Sequence, residues 1–353
     1  MVSKINSHFE NRSYITRLVI SRSGNKGRAL NKKLEINLGY KILSKLKTKP
    51  KIKTATTIGF IVAILAAAFS ALPDVIPKPL LENDLNGTPT IDPIALVFMF
   101  YVVNALVFTP LAKNKSPLKK IGKSTLFLLL ILGVAESMGT LFYSIGLSET
   151  SAVNASILGN SETIFAILIG LTIFRERLHS KEIIPFVLII IGTIMIPIIS
   201  DFSEHGLGFS DFVFGDMMIL IAGFFYCLDT FIAKHISPSI SIRRIVQVMS
   251  MTGAVLAFIL MIIFQIPIYL DLLQISFMSI VGVLGIGITS LFFIIALRLI
   301  GAIRTVMIYS ANTIFGVIYS GVYLSEPITY VNISSLAVVM FGLYALRSRL
   351  AAK

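Results

Sequence analysis

The chain has no tryptophan and one cysteine, Cys227, and only 14% of its 353 residues are charged. A lone cysteine excludes an intrachain disulfide and any site built on several thiolates. So little charge excludes the solvated surface that a soluble chain of this length needs. No GxxxxGK[ST] occurs, so nothing supports ATP-driven transport by this chain alone. His8, His179, His205 and His235 are scattered, with no HExxH and no GxSxG. No catalytic constellation and no metal or cofactor site is readable, and the chain is expected not to be an enzyme. The first charges are not followed by an apolar signal region. The Arg-rich, acid-poor start resembles an organelle transit peptide only superficially.

Hydrophobic residues are plentiful, at 55%, with a mean hydropathy of +0.86. Several apolar runs exceed the roughly 18–20 residues that cross a hydrocarbon core as a helix, and the ten-residue alternation of an outer-membrane strand is absent. The net charge of +13 is uneven: residues 1–54 hold 14 of the 31 Lys and Arg against Glu10 and Glu35, leaving 17 against 16 elsewhere. The basic character belongs to one N-terminal arm, expected to be cytosolic and to contact anionic lipid rather than nucleic acid. Within it, Leu34, Leu38, Ile42 and Leu46 recur at steps of four, as in an interfacial helix; a disordered tail fits equally.

Ten spans are expected, near 56–78, 92–112, 124–147, 151–174, 183–200, 213–235, 243–266, 275–298, 302–325 and 329–348. The loops alternate in charge. Lys113, Lys115, Lys119, Lys120 and Lys123, then Arg175, Arg177 and Lys181, then Lys234, Arg243 and Arg244, then Arg298 and Arg304 fall on one side. Glu82, Asp84, Glu149, Asp201, Glu204, Asp211, Asp271 and Glu326 fall on the other. The positive-inside rule then puts both termini in the cytosol.

The spans repeat. LFYSIGLSETSAVNASILGNSETIFAILIG from Leu141 aligns without gaps on LFFIIALRLIGAIRTVMIYSANTIFGVIYS from Leu291, an offset of 150 (291 − 141). Thr163 meets Thr313, Glu176 meets Glu326 and Gly192 meets Gly342. The first and sixth spans align at an offset of 156 (215 − 59), pairing Gly59 with Gly215 and Lys78 with Lys234. Five spans per half is an odd number, so the halves, 55–200 and 212–348, are inverted. The expected fold is thus an all-α membrane protein of ten transmembrane helices in two inverted five-helix repeats, a plan that recurs in secondary transporters.

ETIFAILIGLTIFRERLHSKEIIPFVLIIIGTIMI and its mate NTIFGVIYSGVYLSEPITYVNISSLAVVMFGLYAL each join a small-and-polar fourth span, a Glu-containing turn and a Gly-bearing fifth span. This pattern resembles the EamA-type domain of the drug/metabolite transporter superfamily, in tandem over about residues 56–348. Lys78 and Lys234, ending the first helix of each half, fit it too. Thr163 and Thr313 stand where such proteins often have proline. The resemblance implies a transporter of the cell membrane, often an exporter, with a cavity between the halves. Related members carry amino acids, nucleotide sugars, sugar phosphates, nucleobases or cationic drugs.

Carboxylates inside spans are the sharper signal, since a charge at mid-bilayer costs about 2.5–3.5 kcal/mol on insertion scales. Glu136 is central in the third span, with Thr140 and Tyr143 on its face. Glu162 is central in the fourth, where Ala155, Gly159, Ala166 and Gly170 permit close helix approach. The matching face of the ninth span carries Tyr309 and Asn312. Features kept in both halves read as structural. Glu136 against Ile286 and Glu162 against Asn312 differ between the halves, and mark the expected binding site for solute or coupling proton. The plain alternative is a protonated carboxyl bonded to a neighbouring helix. Asn104, Tyr226 and Gln247 are further candidates for the cavity wall, with contacts between helices as the alternative. Asp74 and Asp229, nearer span ends, read as interfacial, and Lys78 and Lys234 as anchors of helix ends. The expected partners are a small solute exchanged by alternating access, with protons as coupling ion, and lipid; a homodimer is one assembly the sequence allows. A channel or a non-transporting scaffold are the competing functions.

Overall fold

The computed structural model describes residues 52–81, 91–113, 121–172, 180–195, 211–266 and 272–350. The arm up to residue 51, Glu176 and about half of the charged loop residues lie outside them. Thr56–Lys353 forms one compact unit, and among the described residues it is helical throughout.

In the first half, α1 (Ile52–Val75) and the single turn α2 (Lys78–Leu81) lead to α3 (Pro93–Ala112) and α4 (Lys123–Glu149). The start of α3 is fixed by Asp92, whose carboxylate accepts from the Ile94 N–H at 2.7 Å, next to a proline at the first helical position. Two short helices follow end to end, α5 (Ala152–Leu158) and α6 (Ser161–Thr172), then α7 (Ser180–Met195). The second half repeats this order: α8 (Asp211–Ile236), α9 (Ile242–Phe264), α10 (Leu272–Gly282), α11 (Thr289–Ile300), α12 (Ala302–Tyr309), α13 (Asn312–Tyr319) and α14 (Tyr330–Leu350). A π-helical stretch, Val283–Ile288, joins α10 to α11, and another, Ser320–Leu324, extends α13.

Among the described residues, eight helical segments are long and apolar enough to cross a membrane, and α7 and α14 contribute shorter apolar stretches, Ile183–Met195 and Tyr330–Ala345. The difference from the expected ten has two causes. The apolar run of α7 continues in sequence beyond the described residues, and α14 carries Asn332, Ser334 and Ser335 near its start and Arg347 near its end. Large apolar side chains lie on the outside, among them Ile184, Ile263, Leu106 and Phe341. Such a surface suits lipid rather than water, and the chain is a multi-pass α-helical membrane protein.

The halves meet about a two-fold axis. α3 packs on its mate α9, α7 on α14, and the α5–α6 segment on α12–α13. At α7–α14 the contacts return with residues exchanged. A Cβ added to Gly192 would sit 2.7 Å from Val339 Cγ2, and one on Gly342 would sit 2.8 Å from Ile189 Cγ1. Val339 is the repeat mate of Ile189, as Gly342 is of Gly192. Glycine is needed at both positions because the backbones approach closely: the same Cβ atoms would lie 3.1 Å from the Ser335 carbonyl and 2.9 Å from its mate, that of Pro185. The other paired glycines behave alike. Gly59 of α1 lies against Ile300 of α11, and Gly215 of α8 lies against Gly146 of α4. The glycines that repeat in the sequence are therefore those on which the halves close.

Candidate functional site

Both halves interrupt the corresponding helix. α5 stops at Leu158 and α6 begins at Ser161; α12 stops at Tyr309 and α13 begins at Asn312. Gly159-Asn160 and Ser310-Ala311 form the breaks, offset by the repeat to within a residue. Each break is a tightened turn: the Thr163 N–H donates to the Asn160 carbonyl at 2.9 Å, and the Thr313 N–H to that of Ser310 at 3.3 Å. Side chains then tie one break to the other, again with residues exchanged. Asn160 Nδ2 donates to Thr313 Oγ1 at 2.7 Å, and Thr163 and Ser310 share a hydrogen bond of 3.1 Å. Broken helices at matching places in two halves of a membrane bundle are where binding sites form, because side chains and backbone polar groups are gathered there away from lipid.

A cavity of about 100 Å³ lies at these breaks. Its wall includes Asp74 of α1, Glu136 of α4, Glu162 of α6 and Asp229 of α8, with no Lys or Arg among the described residues that line it. Of the residues singled out in the sequence, Glu136, Thr140, Tyr143, Glu162, Tyr226, Tyr309 and Asn312 are brought together in this wall. Thr140 shares a 2.8 Å hydrogen bond with the buried Tyr101 hydroxyl and donates to the Glu136 carbonyl at 3.0 Å. The Tyr309 ring meets Phe293 edge to face at 4.8 Å. Ile286, the repeat mate of Glu136, also lines the cavity, within the π-helical stretch.

Asn104 and Gln247 are not in this wall. Asn104 is fully buried and donates to the carbonyls of Phe100 at 2.8 Å and Gly282 at 2.9 Å, joining α3 to α10. Gln247 bonds Arg244 on its own helix and donates to Thr109 of α3 at 3.2 Å. Both hold helices together. Asp74 and Asp229 move the other way: their places near span ends suggested an interfacial role, yet both line the cavity. Asp74 is next to the last residue of α1 and Asp229 is within the last turns of α8, so both are near helix ends as expected, but the cavity extends far enough to include them.

Two carboxylates hold matching positions with partners exchanged. Asn312 Nδ2 donates to Asp74 Oδ2 and to Ser70 Oγ, both at 3.0 Å. Thr230 Oγ1 donates to Glu162 Oε1 at 2.9 Å. Thr230 is the repeat mate of Asp74, and Glu162 that of Asn312. Each contact has one carboxylate and one neutral donor, but the acid is on the first helix of its half in one contact and on the broken helix in the other. Sequence comparison of the halves found Glu162 against Asn312 and missed this exchange, which only the packing of α1 on α13 and α6 on α8 makes visible.

Two further side chains tie helices together away from the cavity. Glu326, after α13, accepts from the N–H groups of Ala152 and Val153 at 2.9 Å each, holding the first turn of α5 from the other half. Lys78, buried at the start of α2, donates to the Leu147 carbonyl at 3.1 Å. Its repeat mate Lys234 is exposed.

An apolar helical bundle with a polar cavity at two matched helix breaks defines a membrane transport protein. The comparisons with known proteins agree: the EamA-like transporter family matches this chain twice, over residues 57–198 and 213–348. The chain belongs to that family, in two tandem copies. An uncharacterized transporter of Methanothermobacter thermautotrophicus is 31% identical over 262 residues, covering 72% of this chain and 75% of that protein. The uncharacterized transporter YetK of Bacillus subtilis is 26% identical over 231 residues, 61% of this chain and 66% of its own length. A solved crystal structure of a protein shares the fold at a TM-score of 0.59 and 14% identity, covering 83% of this chain and 98% of that one. At that identity the likeness speaks for the fold alone.

Proposed function

We propose that the protein is a secondary carrier that moves a small metabolite across the cytoplasmic membrane by alternating access, in the exporting direction. The observation that carries the reading is the acidic cavity at two helix breaks related by the repeat. In this reading the chain has ten spans, both termini are cytosolic and the halves are inverted, so each half can take in turn the conformation of the other. The alternating loop charge supports that topology. Glu136, without a counterpart in the second half, is the proton-coupling residue, and Glu162 contacts the solute.

The test is counterflow into proteoliposomes loaded with a solute first identified by comparing metabolites of cells with and without the gene. Saturable, counterflow-stimulated flux is expected, with E136Q abolishing its response to a pH gradient. Unsaturable conductance would replace the carrier with a channel. Flux that ignores pH in both the wild type and E136Q would remove the proton from the mechanism.

A further inference from the structure

The two halves provide an internal comparison at the cavity. On the side of α6 and α8, Asn160, Glu162 and Asp229 stand together; at the matching positions on the other side are Ser310, Asn312 and Pro73. One side has two carboxylates and an amide; its mate has one carboxylate, Asp74, which already accepts from Asn312. Asn160 is 3% exposed. Its Nδ2 is committed to the Ile157 carbonyl at 2.9 Å and to Thr313 at 2.7 Å. A carbonyl only accepts, so the orientation of the amide is fixed, and Oδ1 is left buried without a partner. Asp229 Oδ1 is also buried without a partner. Buried acceptors left open cost free energy unless something donates to them.

A ligand that completes this side would donate hydrogen bonds to the two open acceptors, and a positive charge on it would complement the Glu162 and Asp229 carboxylates. Among the described residues no three of His, Cys, Asp and Glu gather as a transition-metal site would need. An –NH3⁺ group supplies three donors and one charge, and Tyr226 and Tyr309 in the same wall offer aromatic faces that favour a cation.

We propose that Asn160, Glu162 and Asp229 form a subsite for one primary ammonium group, located on the first-half break and absent from its mate. The group donates to Asn160 Oδ1 and Asp229 Oδ1, with the Glu162 carboxylate as counter-charge held by Thr230. This rests on the carrier reading only for its physiological purpose: the transported solute bears an amine.

The test is calorimetric titration of the purified full-length protein with methylammonium, and with tetramethylammonium as an ion of the same charge without N–H groups. One methylammonium per chain is expected, with tetramethylammonium at least about tenfold weaker. D229N and E162Q each weaken methylammonium about tenfold or more, and Q247A, outside the cavity wall, leaves it unchanged. D229N alters a carboxylate oxygen that has no partner in the protein, so it is the variant that keeps the fold. Equal binding of the two ions, wild-type binding by D229N, or no methylammonium binding at all overturns the subsite. The carrier reading fails separately. Counterflow of a solute without methylammonium binding leaves carriage and removes the subsite; one-to-one binding without any flux keeps the subsite and removes carriage.

Discussion

Replacing Glu326 with alanine removes two of the side-chain acceptors of the first turn of α5 and leaves only Ser151 Oγ, which takes the Asn154 N–H at 3.1 Å. The carboxylate takes the Ala152 and Val153 N–H groups at 2.9 Å each, and no intrahelical carbonyl can replace it at a helix start. Hydrogen bonds to a charged group contribute about 1.5–3 kcal/mol each when buried. Glu326 is only half-buried, so water recovers much of that, and a cap of this kind is worth about 2 kcal/mol in total. E326Q keeps a neutral acceptor for one N–H and should cost about half as much. A loss of 2 kcal/mol in a chain of this size lowers Tm by on the order of 4 °C, measurable by thermal unfolding of the detergent-purified protein. E326A within a degree of wild type, or E326Q as harmful as E326A, would refute the cap. Because the bond joins the two halves, limited proteolysis of E326A should also show earlier cleavage in the segments flanking α5.

Three further outcomes follow from the packing. Gly192→Val and Gly342→Val should each destabilise the protein by about 1–3 kcal/mol through overpacking, and by similar amounts, since their missing Cβ atoms meet equivalent neighbours at 2.7 and 2.8 Å; clearly unequal shifts in Tm would contradict the two-fold contact. Thr313→Val strands a buried Asn160 amide hydrogen and should cost about 1–3 kcal/mol, whereas Thr163→Val, which breaks the longer bond to Ser310, should cost less when both are melted side by side. Asn104→Leu removes the bond across to the Gly282 carbonyl and should lower Tm while leaving the half-saturation of flux unchanged, because Asn104 is outside the cavity; a changed half-saturation would return it to the site.

That the chain is an all-helical, multi-pass membrane protein was legible because hydrophobic run length is dictated by the bilayer, and the repeat because gapless pairs such as Thr163 and Thr313 survive in register. The carboxylates at Glu136 and Glu162 were legible for the same reason: a charge central in an apolar run has few explanations. Other features were not. The breaks at Gly159-Asn160 and Ser310-Ala311 carry no proline, and SILGNSE and IYSANT read as ordinary polar interludes of one long helix. Asp74 looked peripheral because the sequence does not show how far the cavity extends along α1. Asn104 and Gln247 looked like cavity residues because a buried amide that joins two helices has the same sequence signature as one that meets a ligand. Only the partner, Gly282 in one case and Thr109 in the other, separates them.

The exchanged contacts of Gly192 with Val339 and Gly342 with Ile189 also bear on what each half is free to change. A contact that returns with its residues swapped is one that two identical chains can make with each other. In such a pair every change near the axis would appear twice. In one chain the two sides vary independently: Asp229 stands opposite Pro73, and Glu136 opposite Ile286, with no second copy across the axis.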